Sequence, residues 1–436
     1  MNEIPLKPIN RNSKSTESKA NGTKPTRVRT NIVILTFLSI VIAYMDRANL
    51  SVASVTIMKE HGWNTAQWGS ILSAFFVGYL ILQIPAGWIA DKIGGKRVLA
   101  VGVAWWSIFT AVTPFAKSLN SLWIVRALMG LGEAVTFPAE TAIASNWVPS
   151  KERARSQALN LSGMALSLAV SVPISAWIIS TYGWPAAFYF AGLLGLIWTL
   201  FWLWYAKDRP SDHPKVNQEE LVLIGKGHGA KKEHSNDMSA VLKSGPVWAL
   251  AINYFFQNYS WYLYLTWLPG YLVMARHFSI LKMGIYGMLP YLGAFVITNL
   301  AGYISDRMIP KIGVTRARKY IMYAAFGGSA LFLYLGAMAA TGGMAVLWIT
   351  LAVSFLSMNF SSFWALPIDL GPKNAGLISG LMNTFGTIAG IIAPIITGFI
   401  VNETGSWVYA LSVAIILSII GIFVCALFVS GKQVVD

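Results

Sequence analysis

The sequence predicts an all-α integral membrane protein with twelve transmembrane helices, arranged as two six-helix bundles related by pseudo-two-fold symmetry. Composition is the first reason: 55% of the 436 residues are hydrophobic and 12% are charged, and the mean hydropathy is +0.56, values too apolar for a soluble globular protein. The second reason is a series of twelve apolar runs long enough to cross a bilayer. The third is a long polar insertion that divides these runs into six and six.

The predicted helices follow the apolar runs in chain order, because about 20 apolar residues in a helix cross the hydrocarbon core. The predicted spans are residues 31–57, 67–90, 97–115, 119–145, 153–181, 185–206, 246–274, 281–305, 317–340, 343–366, 375–401 and 406–430. The predicted organisation is a disordered cytoplasmic N-terminal tail (1–30), an N-terminal bundle (31–206), a cytoplasmic linker (207–245), a C-terminal bundle (246–430) and a cytoplasmic C-terminal tail (431–436).

Basic residues are concentrated in alternate connections between the predicted helices. Seven Lys and Arg lie between 207 and 245 and five between 306 and 319, whereas the opposite set of connections holds only Lys59, Lys117, Arg276 and Lys282. The positive-inside rule therefore places both termini in the cytoplasm, and a bacterial plasma (inner) membrane is the expected location. The net charge of +15 follows this topology, so we expect lipid and not nucleic acid as the partner of the basic residues, and a monomer.

The linker and the motif inventory favour neither an enzyme nor a metal protein. His213, His228 and His234 are irregularly spaced and the linker has no cysteine, so a solvated linker is the preferred interpretation. No hydrolase, metalloprotease or nucleotide-binding motif occurs in the chain. We therefore expect no enzymatic activity, no cofactor and no metal site.

Four ionisable residues lie inside the apolar runs: Asp46, Arg47, Arg126 and Glu133. Each charge at the bilayer centre costs roughly 2.5 to 3.5 kcal/mol on insertion scales, which indicates a polar cavity with a function. The planar guanidinium fork suits a carboxylate, sulfonate or phosphate, so Arg47 and Arg126 predict an anionic ligand. Asp46 and Glu133 can gain and lose a proton, so they are the candidates for proton coupling.

The spacing within the fourth predicted helix also carries information. Arg126 and Glu133 are seven residues apart, so on one continuous helix they share a face at about 10 Å separation, and Glu140 extends the same stripe. The alternative interpretation is structural: Asp46 with an arginine, and Glu133 with Arg126, form buried ion pairs that tie helices together. Glu140 is expected at the cytoplasmic mouth as a solvated helix end, and its role stays open.

An internal repeat follows the second helix of each predicted bundle. Its first copy contains Gly87, Asp91, Gly94, Lys96 and Arg97, and its second contains Gly302, Asp306 and Arg307. Small glycines allow close helix approach and an acidic residue at a helix end can pair with basic groups, which predicts a cytoplasmic gate. A tight basic turn that merely obeys topology is the alternative.

These motifs resemble those of the major facilitator superfamily over nearly the whole chain from Ile32 onward. The segment 87–97 is similar to the loop signature of that superfamily. More narrowly, four segments resemble the anion:cation symporter family, which includes bacterial carriers of sugar acids and other organic anions: Tyr44-Met-Asp46-Arg47-Ala-Asn49-Leu-Ser, Gly132-Glu133-Ala-Val-Thr-Phe137-Pro138-Ala, Thr266-Trp267-Leu-Pro269 and Thr315-Arg-Ala-Arg-Lys319. The resemblance implies the two-bundle fold and proton-driven uptake of an anion.

The resemblance also implies a substrate site between the bundles. Its N-terminal side would consist of Tyr44, Arg47, Tyr79 and Arg126, and its C-terminal side of Ser361, Trp364 and Asn383. One departure concerns substrate: Met164 stands in the fifth predicted helix where sugar-acid carriers commonly have a glutamine, which weakens the case for a polyhydroxylated ligand.

The sequence thus predicts a secondary active transporter that imports a small organic anion with protons by alternating access. The anion is a sugar acid, another carboxylate or a sulfonate. An anion exchanger or passive facilitator on the same fold is the alternative, and a receptor-like sensor or membrane enzyme that uses this architecture is a third.

Overall fold

The computed structural model describes residues 24–225 and 238–431, apart from some side chains at positions 84, 91, 150–151, 153–155 and 157–162. The N-terminal half contains seven helices: α1 (Val28–His61), α2 (Thr65–Ile93), α3 (Gly95–Val112), α4 (Leu119–Glu133), α5 (Thr136–Trp147), α6 (Ser150–Tyr182) and α7 (Trp184–Tyr205). Two short helices follow: α8 (Gln218–Gly225) and α9 (Met238–Lys243). The C-terminal half contains eight: α10 (Gly245–Met274), α11 (Ile280–Gly287), α12 (Leu289–Ile312), α13 (Val314–Ala337), α14 (Gly342–Ser357), α15 (Asn359–Leu370), α16 (Ala375–Thr404) and α17 (Trp407–Phe428).

The all-α membrane fold is confirmed, with one informative exception among the spans. Eleven helical stretches of the described chain are long and apolar enough to cross a membrane, and they correspond to every predicted span except the seventh. The seventh is α10, a helix of 30 residues that is more polar. Its Asn253, Gln257 and Asn258 are at most 3% exposed, so this polarity faces the interior of the protein and not lipid.

Three predicted continuous helices are interrupted: the eighth at Met288, between α11 and α12, and the fourth and tenth at similar distances from their starts. The fourth span ends as α4 at Glu133 and resumes as α5 at Thr136, and the tenth is interrupted at Met358 between α14 and α15. In the fourth and the tenth, a hydroxyl after the break donates to the carbonyl before it: Thr136 Oγ1 to Glu133 O (2.8 Å) and Ser361 Oγ to Met358 O (2.8 Å). The predicted span 119–145 therefore corresponds to one membrane crossing, but its helix is interrupted at residues 134–135, and Glu133 lies at the end of α4.

Hydrogen bonds join the two halves toward one end of the molecule, and α2 and α16 separate toward the other. We call the end that carries residues 24–27 and 429–431 the terminal face, and its counterpart the opposite face. Among the described residues, hydrogen bonds join the halves at Thr65 Oγ1 to Gly398 O (2.9 Å), Ser51 Oγ to Leu265 O (2.7 Å) and Thr387 Oγ1 to Gln83 Oε1 (2.8 Å).

Toward the terminal face, the facing residues of α2 and α16 no longer contact each other. Gly87 follows Gln83 by one turn on α2, and Gly380 and Gly376 precede Thr387 on the matching stripe of α16. No atom outside their own helix backbone lies within 4 Å of a Cβ placed at any of these three glycines. α2 and α16 are therefore separated on this side of the Gln83–Thr387 contact.

The first part of the predicted linker is docked on the N-terminal half, which corrects its description as solvated. The carboxylate of Glu220 is fully buried and accepts hydrogen bonds from Thr26 Oγ1 (2.5 Å), Val28 N (3.2 Å) and both Arg29 N and Nη1 (3.1 Å each). Glu220 therefore satisfies the first backbone N–H groups of α1. Residues 24–30 of the predicted disordered tail belong to the fold, while residues 1–23 and 432–436 lie outside the described residues.

His213 is the second anchor of this docked segment. It is 5% exposed and packs edge-to-face on Trp147 at the end of α5 (5.8 Å between ring centroids) and on Tyr205 at the end of α7 (5.1 Å). Its Nδ1 accepts a hydrogen bond from Lys215 N (3.2 Å), so that nitrogen carries no proton. His213 is thus a packed core residue and not a solvated one; His228 and His234 lie outside the described residues.

We predict that docking of residues 206–225 weakens in acid through His213. Burial lowers the pKa of His213, Lys215 and Lys207 act in the same direction, and the Tyr205 carbonyl and Glu220 oppose the shift. The undocked imidazole therefore binds its proton more readily, so the contribution of His213 to docking is complete above about pH 6.5 and is lost as the pH falls through the lowered value.

Amide hydrogen exchange at pH 7.5 and 5.5, corrected for intrinsic rates, measures this effect. Exchange over 206–225 is expected to accelerate in acid in the parent protein and to become independent of pH in His213→Gln. The matched control is His61→Gln at the opposite face, which should behave as the parent does. Equal protection of the parent segment at both pH values would contradict the prediction.

Candidate functional site

The centre of the site is Arg47 on α1, held between aromatic rings and an acid. Its guanidinium carbon lies 4.7 Å from the ring centroid of Tyr44, 4.6 Å from that of Phe75 and 5.6 Å from that of Tyr79. Arg47 Nε donates to Glu133 Oε1 at 2.8 Å, and Nη2 donates to the same oxygen. Arg47 is 6% exposed and Glu133 is 2% exposed, so this pair is buried at the interface of α1, α2 and α4.

Two glycines bring α2 and α4 close enough to build this interface. A Cβ added at Gly78 would lie 2.6 Å from the carbonyl carbon of Ala127, and one at Gly130 would lie 2.8 Å from that of Phe75. Because only glycine permits such backbone contact, these positions set the approach of the two helices. The approach places the ring of Phe75 against both arginines, since the Arg126 guanidinium lies 5.4 Å from its centroid.

Arg126 differs from Arg47 because no carboxylate of the described residues forms an ion pair with it. It is 3% exposed, Nη1 donates to Met129 Sδ at 2.8 Å, and Nε has no hydrogen-bond partner among the described residues. The predicted structural pairing of Glu133 with Arg126 is therefore wrong, since Glu133 pairs with Arg47 across the bundle. Both residues lie on α4, and the crossing of α1 over this helix brings Arg47 against Glu133.

Asp46 lies on the far side of this cluster. Its side chain is fully buried, and within the described part of the chain neither carboxylate oxygen has a hydrogen-bond partner. The charges of Glu133 and Arg126 act on it, and Trp106 and Thr110 of α3 are its polar neighbours. Asp46 is therefore an ionisable group buried in the bundle with few polar neighbours.

Glu140 is not the solvated helix end that the sequence predicts. It is 3% exposed on α5, and its Oε1 accepts a hydrogen bond from Ser39 Oγ of α1 at 3.2 Å. It belongs to the packing between α1 and α5, two residues after Pro138. Asp369 on α15 likewise follows a proline, Pro367, by two residues.

The three C-terminal residues of the predicted site make their recorded contacts outside the arginine cluster. Trp364 packs edge-to-face on Tyr254 (6.5 Å), and Tyr254 in turn lies near Tyr79. Asn383 is half-buried on α16, and its carbonyl accepts from Thr387 Oγ1 (3.0 Å). Ser361 is half-buried and donates to its own helix. None of these three contacts the arginine cluster in the interactions recorded for the described residues.

Sequence reasoning missed Phe75 and Tyr262. Phe75 precedes Tyr79 by one helical turn, so the spacing could have identified it as a residue on the same helix face as Tyr79. Tyr262 of α10 packs on Phe76 at 4.4 Å between centroids and lies beside Arg47, which makes it the C-terminal residue nearest the cluster in these contacts. Met164, at the position that departs from the sugar-acid pattern, packs into the core cluster shared by both halves.

The predicted gate residues occupy helix ends at the terminal face. Gly94 adopts φ +99 between α2 and α3, where a side chain would be strained, and the Lys96 N–H donates to Asp208 Oδ1 (3.1 Å) of the docked segment.

In the second copy of the motif, Asp306 is largely exposed and pairs with Arg318 (3.7 Å), which also contacts Asp369 (3.4 Å). Gly302 packs near Ser361 and Arg307 lies over Tyr303, while Gly87 faces open space and Arg97 is exposed. The Asp91 side chain lies outside the described part.

A cleft of about 900 Å³ opens at the opposite face, away from the arginine cluster. It lies between the ends of α1, α2, α10, α13, α16 and α17, and Lys59 and Arg276 contribute to its wall. Arg276 there caps the end of α13 by donating to the carbonyls of Gly336 (3.1 Å), Ala337 (3.2 Å) and Ala339 (2.8 Å). The cleft is therefore a depression outside the closed end of the bundle and not the arginine site.

Comparison with known proteins decides the family. Residues 36–394 match the Major Facilitator Superfamily model. The chain belongs to the Major Facilitator Superfamily. It is 38% identical over 409 residues to the chloroplastic ascorbate transporter of Arabidopsis thaliana, covering 93% of this chain and 75% of that protein. It is 34% identical over 415 residues to the probable sulfoacetate transporter SauU of Cupriavidus necator, covering 94% and 96%.

The fold comparison agrees with the family. A bacterial homologue of the human lysosomal transporter Spinster, in an inward-facing and unoccupied conformation, superimposes with a TM-score of 0.76 at 16% identity, covering 94% of this chain and 99% of that one. This protein is therefore a multi-pass membrane transporter of the superfamily and not an enzyme, and its relatives are named as anion transporters.

Proposed function

We propose that this transporter imports a small organic anion together with protons, by alternating access between its two halves. The observation that carries the proposal is the composition of the buried cluster: two arginines and two acids, each at most 6% exposed, of which only Arg47 and Glu133 are hydrogen-bonded to each other. Arg126 is left without a carboxylate partner among the described residues and is the anchor for the anion.

Charge balance links the anion to a proton. With all four groups ionised, Arg47 and Arg126 cancel Asp46 and Glu133. A monovalent anion then leaves one uncompensated negative charge in a low-dielectric site, which is costly unless a carboxylate is protonated. Asp46, which lacks hydrogen-bond partners in the described structure, takes that proton most readily, and protonation of Glu133 releases Arg47 toward the substrate.

The substrate class follows from the same surroundings. One free guanidinium favours a single carboxylate or sulfonate group, and tyrosines at 44, 79, 254 and 262 offer a few hydroxyl contacts. The thioether of Met164, where sugar-acid carriers commonly have a glutamine, favours an anion with few hydroxyl groups. Of the substrates for which relatives are named, sulfoacetate has no hydroxyl group, whereas ascorbate is an enolate with several. We take sulfoacetate as the first probe; it carries a sulfonate and a carboxylate, so its charge balance requires protonation of both Asp46 and Glu133.

The proposed orientation puts the terminal face in the cytoplasm, in agreement with the distribution of basic residues. The separation of α2 from α16 on that side then corresponds to an inward-open state, and the contacts of Ser51 and Thr65 close the outer side. The repeated gate motif would close the cytoplasmic side in the other state. We propose a monomer in a plasma membrane.

Uptake by proteoliposomes tests the proposal. With an inward proton gradient, labelled sulfoacetate, ascorbate or galactonate is expected to accumulate above its external concentration, and a protonophore should abolish the accumulation. A gradient of one pH unit supports about tenfold accumulation for one proton per anion, since one unit corresponds to about 1.4 kcal/mol. Uptake that requires an internal anion and ignores the proton gradient would identify an exchanger instead.

A further inference from the structure

Met129 is the unexpected partner of the anion-binding arginine. It lies one turn after Arg126 on α4, is fully buried, and its sulfur receives two donors: Arg126 Nη1 at 2.8 Å and Thr110 Oγ1 at 3.7 Å. No sequence motif indicates this role, since a methionine in an apolar helix is usually a packing residue. Here it is the one recorded hydrogen-bond acceptor for Arg126 in the described structure.

The two arginines of the cluster therefore have acceptors of different strength. Arg47 donates twice to a carboxylate, which is a strong, charge-assisted acceptor. Arg126 donates to a thioether, which is a weak one. An anion that binds Arg126 exchanges a weak acceptor for a strong one, so little binding free energy is lost in displacing the sulfur.

We propose that Met129 positions the Arg126 fork while the site is empty and sets the affinity for the anion, because its sulfur is displaced when the anion arrives. This inference rests on the proposed function, in which Arg126 is the anion anchor. Met129 acts through Arg126 and is a positioning residue. The Met129 sulfur must be a weak hydrogen-bond acceptor, because a strong acceptor at the same place would compete with the substrate for Arg126.

Two substitutions of similar volume distinguish the effect of the hydrogen-bond acceptor at position 129 from the effect of side-chain packing there. Met129→Leu removes the acceptor and keeps an apolar side chain, while Met129→Gln places an amide carbonyl near Arg126. For sulfoacetate, ascorbate or galactonate, whichever the parent protein transports, we expect the apparent KM of Met129→Gln to rise about tenfold, as for one hydrogen bond to a charged group. We expect the KM of Met129→Leu to fall about twofold or stay unchanged, with similar maximal rates.

Thermal stability without substrate gives a second readout that needs no known ligand. Met129→Gln should melt at or above the temperature of the parent, because a strong acceptor satisfies a buried guanidinium. Met129→Leu should melt lower, since it removes the recorded acceptor of the buried Arg126 guanidinium. The matched controls are Met322→Gln and Met322→Leu on α13, where the described contact of the buried sulfur is with Cys425 (3.8 Å). There the glutamine should be the more destabilising change.

The results distinguish this inference from the proposed function. If the parent accumulates none of the probes, the proposed function is wrong, and the melting temperatures still judge the role of Met129. If the parent transports but Met129→Gln and Met129→Leu share one KM, Met129 does not set affinity and the inference is wrong. A lower melting temperature for the glutamine than for the leucine variant at position 129, as at 322, would overturn it as well.

Discussion

Arg126→Ala is expected to abolish anion binding. Arg126 is 3% exposed and its recorded acceptor among the described residues is a thioether, so under the proposed function it is free to bind the anion. Truncating one member of a buried charged pair costs about 2 to 5 kcal/mol, which corresponds to a loss of affinity of roughly 30-fold to several thousandfold. Binding to the purified protein, measured by calorimetry with the transported probe, gives the affinity directly.

Arg126→Lys sharpens this test because it keeps the charge and removes the planar fork. If bidentate contact matters, the lysine variant binds more weakly than the parent and more tightly than the alanine variant. Arg316→Ala, an exposed arginine at the terminal face, is the control for loss of one positive charge. Parent-like affinity in Arg126→Ala would place the anion elsewhere, and Arg47 would then be the remaining cation of the cluster.

The membrane fold could be predicted from the sequence because each helix must satisfy its backbone inside the bilayer, and this requirement leaves a clear apolar run. The seventh span illustrates the limit of that signal. Residues 253, 257 and 258 of α10 make it polar because it lines the protein interior, yet its length and position still identified it. The breaks after Glu133 and at Met358 were not foreseen, because a local hydroxyl-to-carbonyl bond leaves no trace in hydropathy.

The buried charges could also be predicted from the sequence, but not their partners. A charged residue inside an apolar run can be recognised directly in the sequence, and this is how Asp46, Arg47, Arg126 and Glu133 were identified. Which acid meets which arginine depends on how α1, α2 and α4 cross, and that is set by backbone contacts at Gly78 and Gly130. The same limit applies to the linker, because hydrophilic residues such as Glu220 can be buried when helix N-termini supply donors.

Asp46→Asn is expected to uncouple transport from the proton gradient while leaving anion movement intact. Asparagine resembles the protonated acid in shape and charge, so the site can still balance one anion against its arginines. It cannot release a proton, so a pH gradient no longer drives the cycle. Under an inward gradient of one pH unit, the about tenfold accumulation expected for one proton per anion should fall to equilibration. Exchange of labelled for unlabelled anion at equal pH should persist.

The matched control is Asp212→Asn, an exposed acid of the docked linker segment, which should accumulate substrate as the parent does. Glu133→Gln provides the contrast, because Glu133 holds Arg47 while Asp46 has no recorded hydrogen-bond partner among the described residues. Loss of that acid should change both coupling and affinity. If Asp46→Asn accumulates substrate normally and Glu133→Gln alone fails, the proton travels on the acid paired with Arg47, and coupling operates by breaking that ion pair.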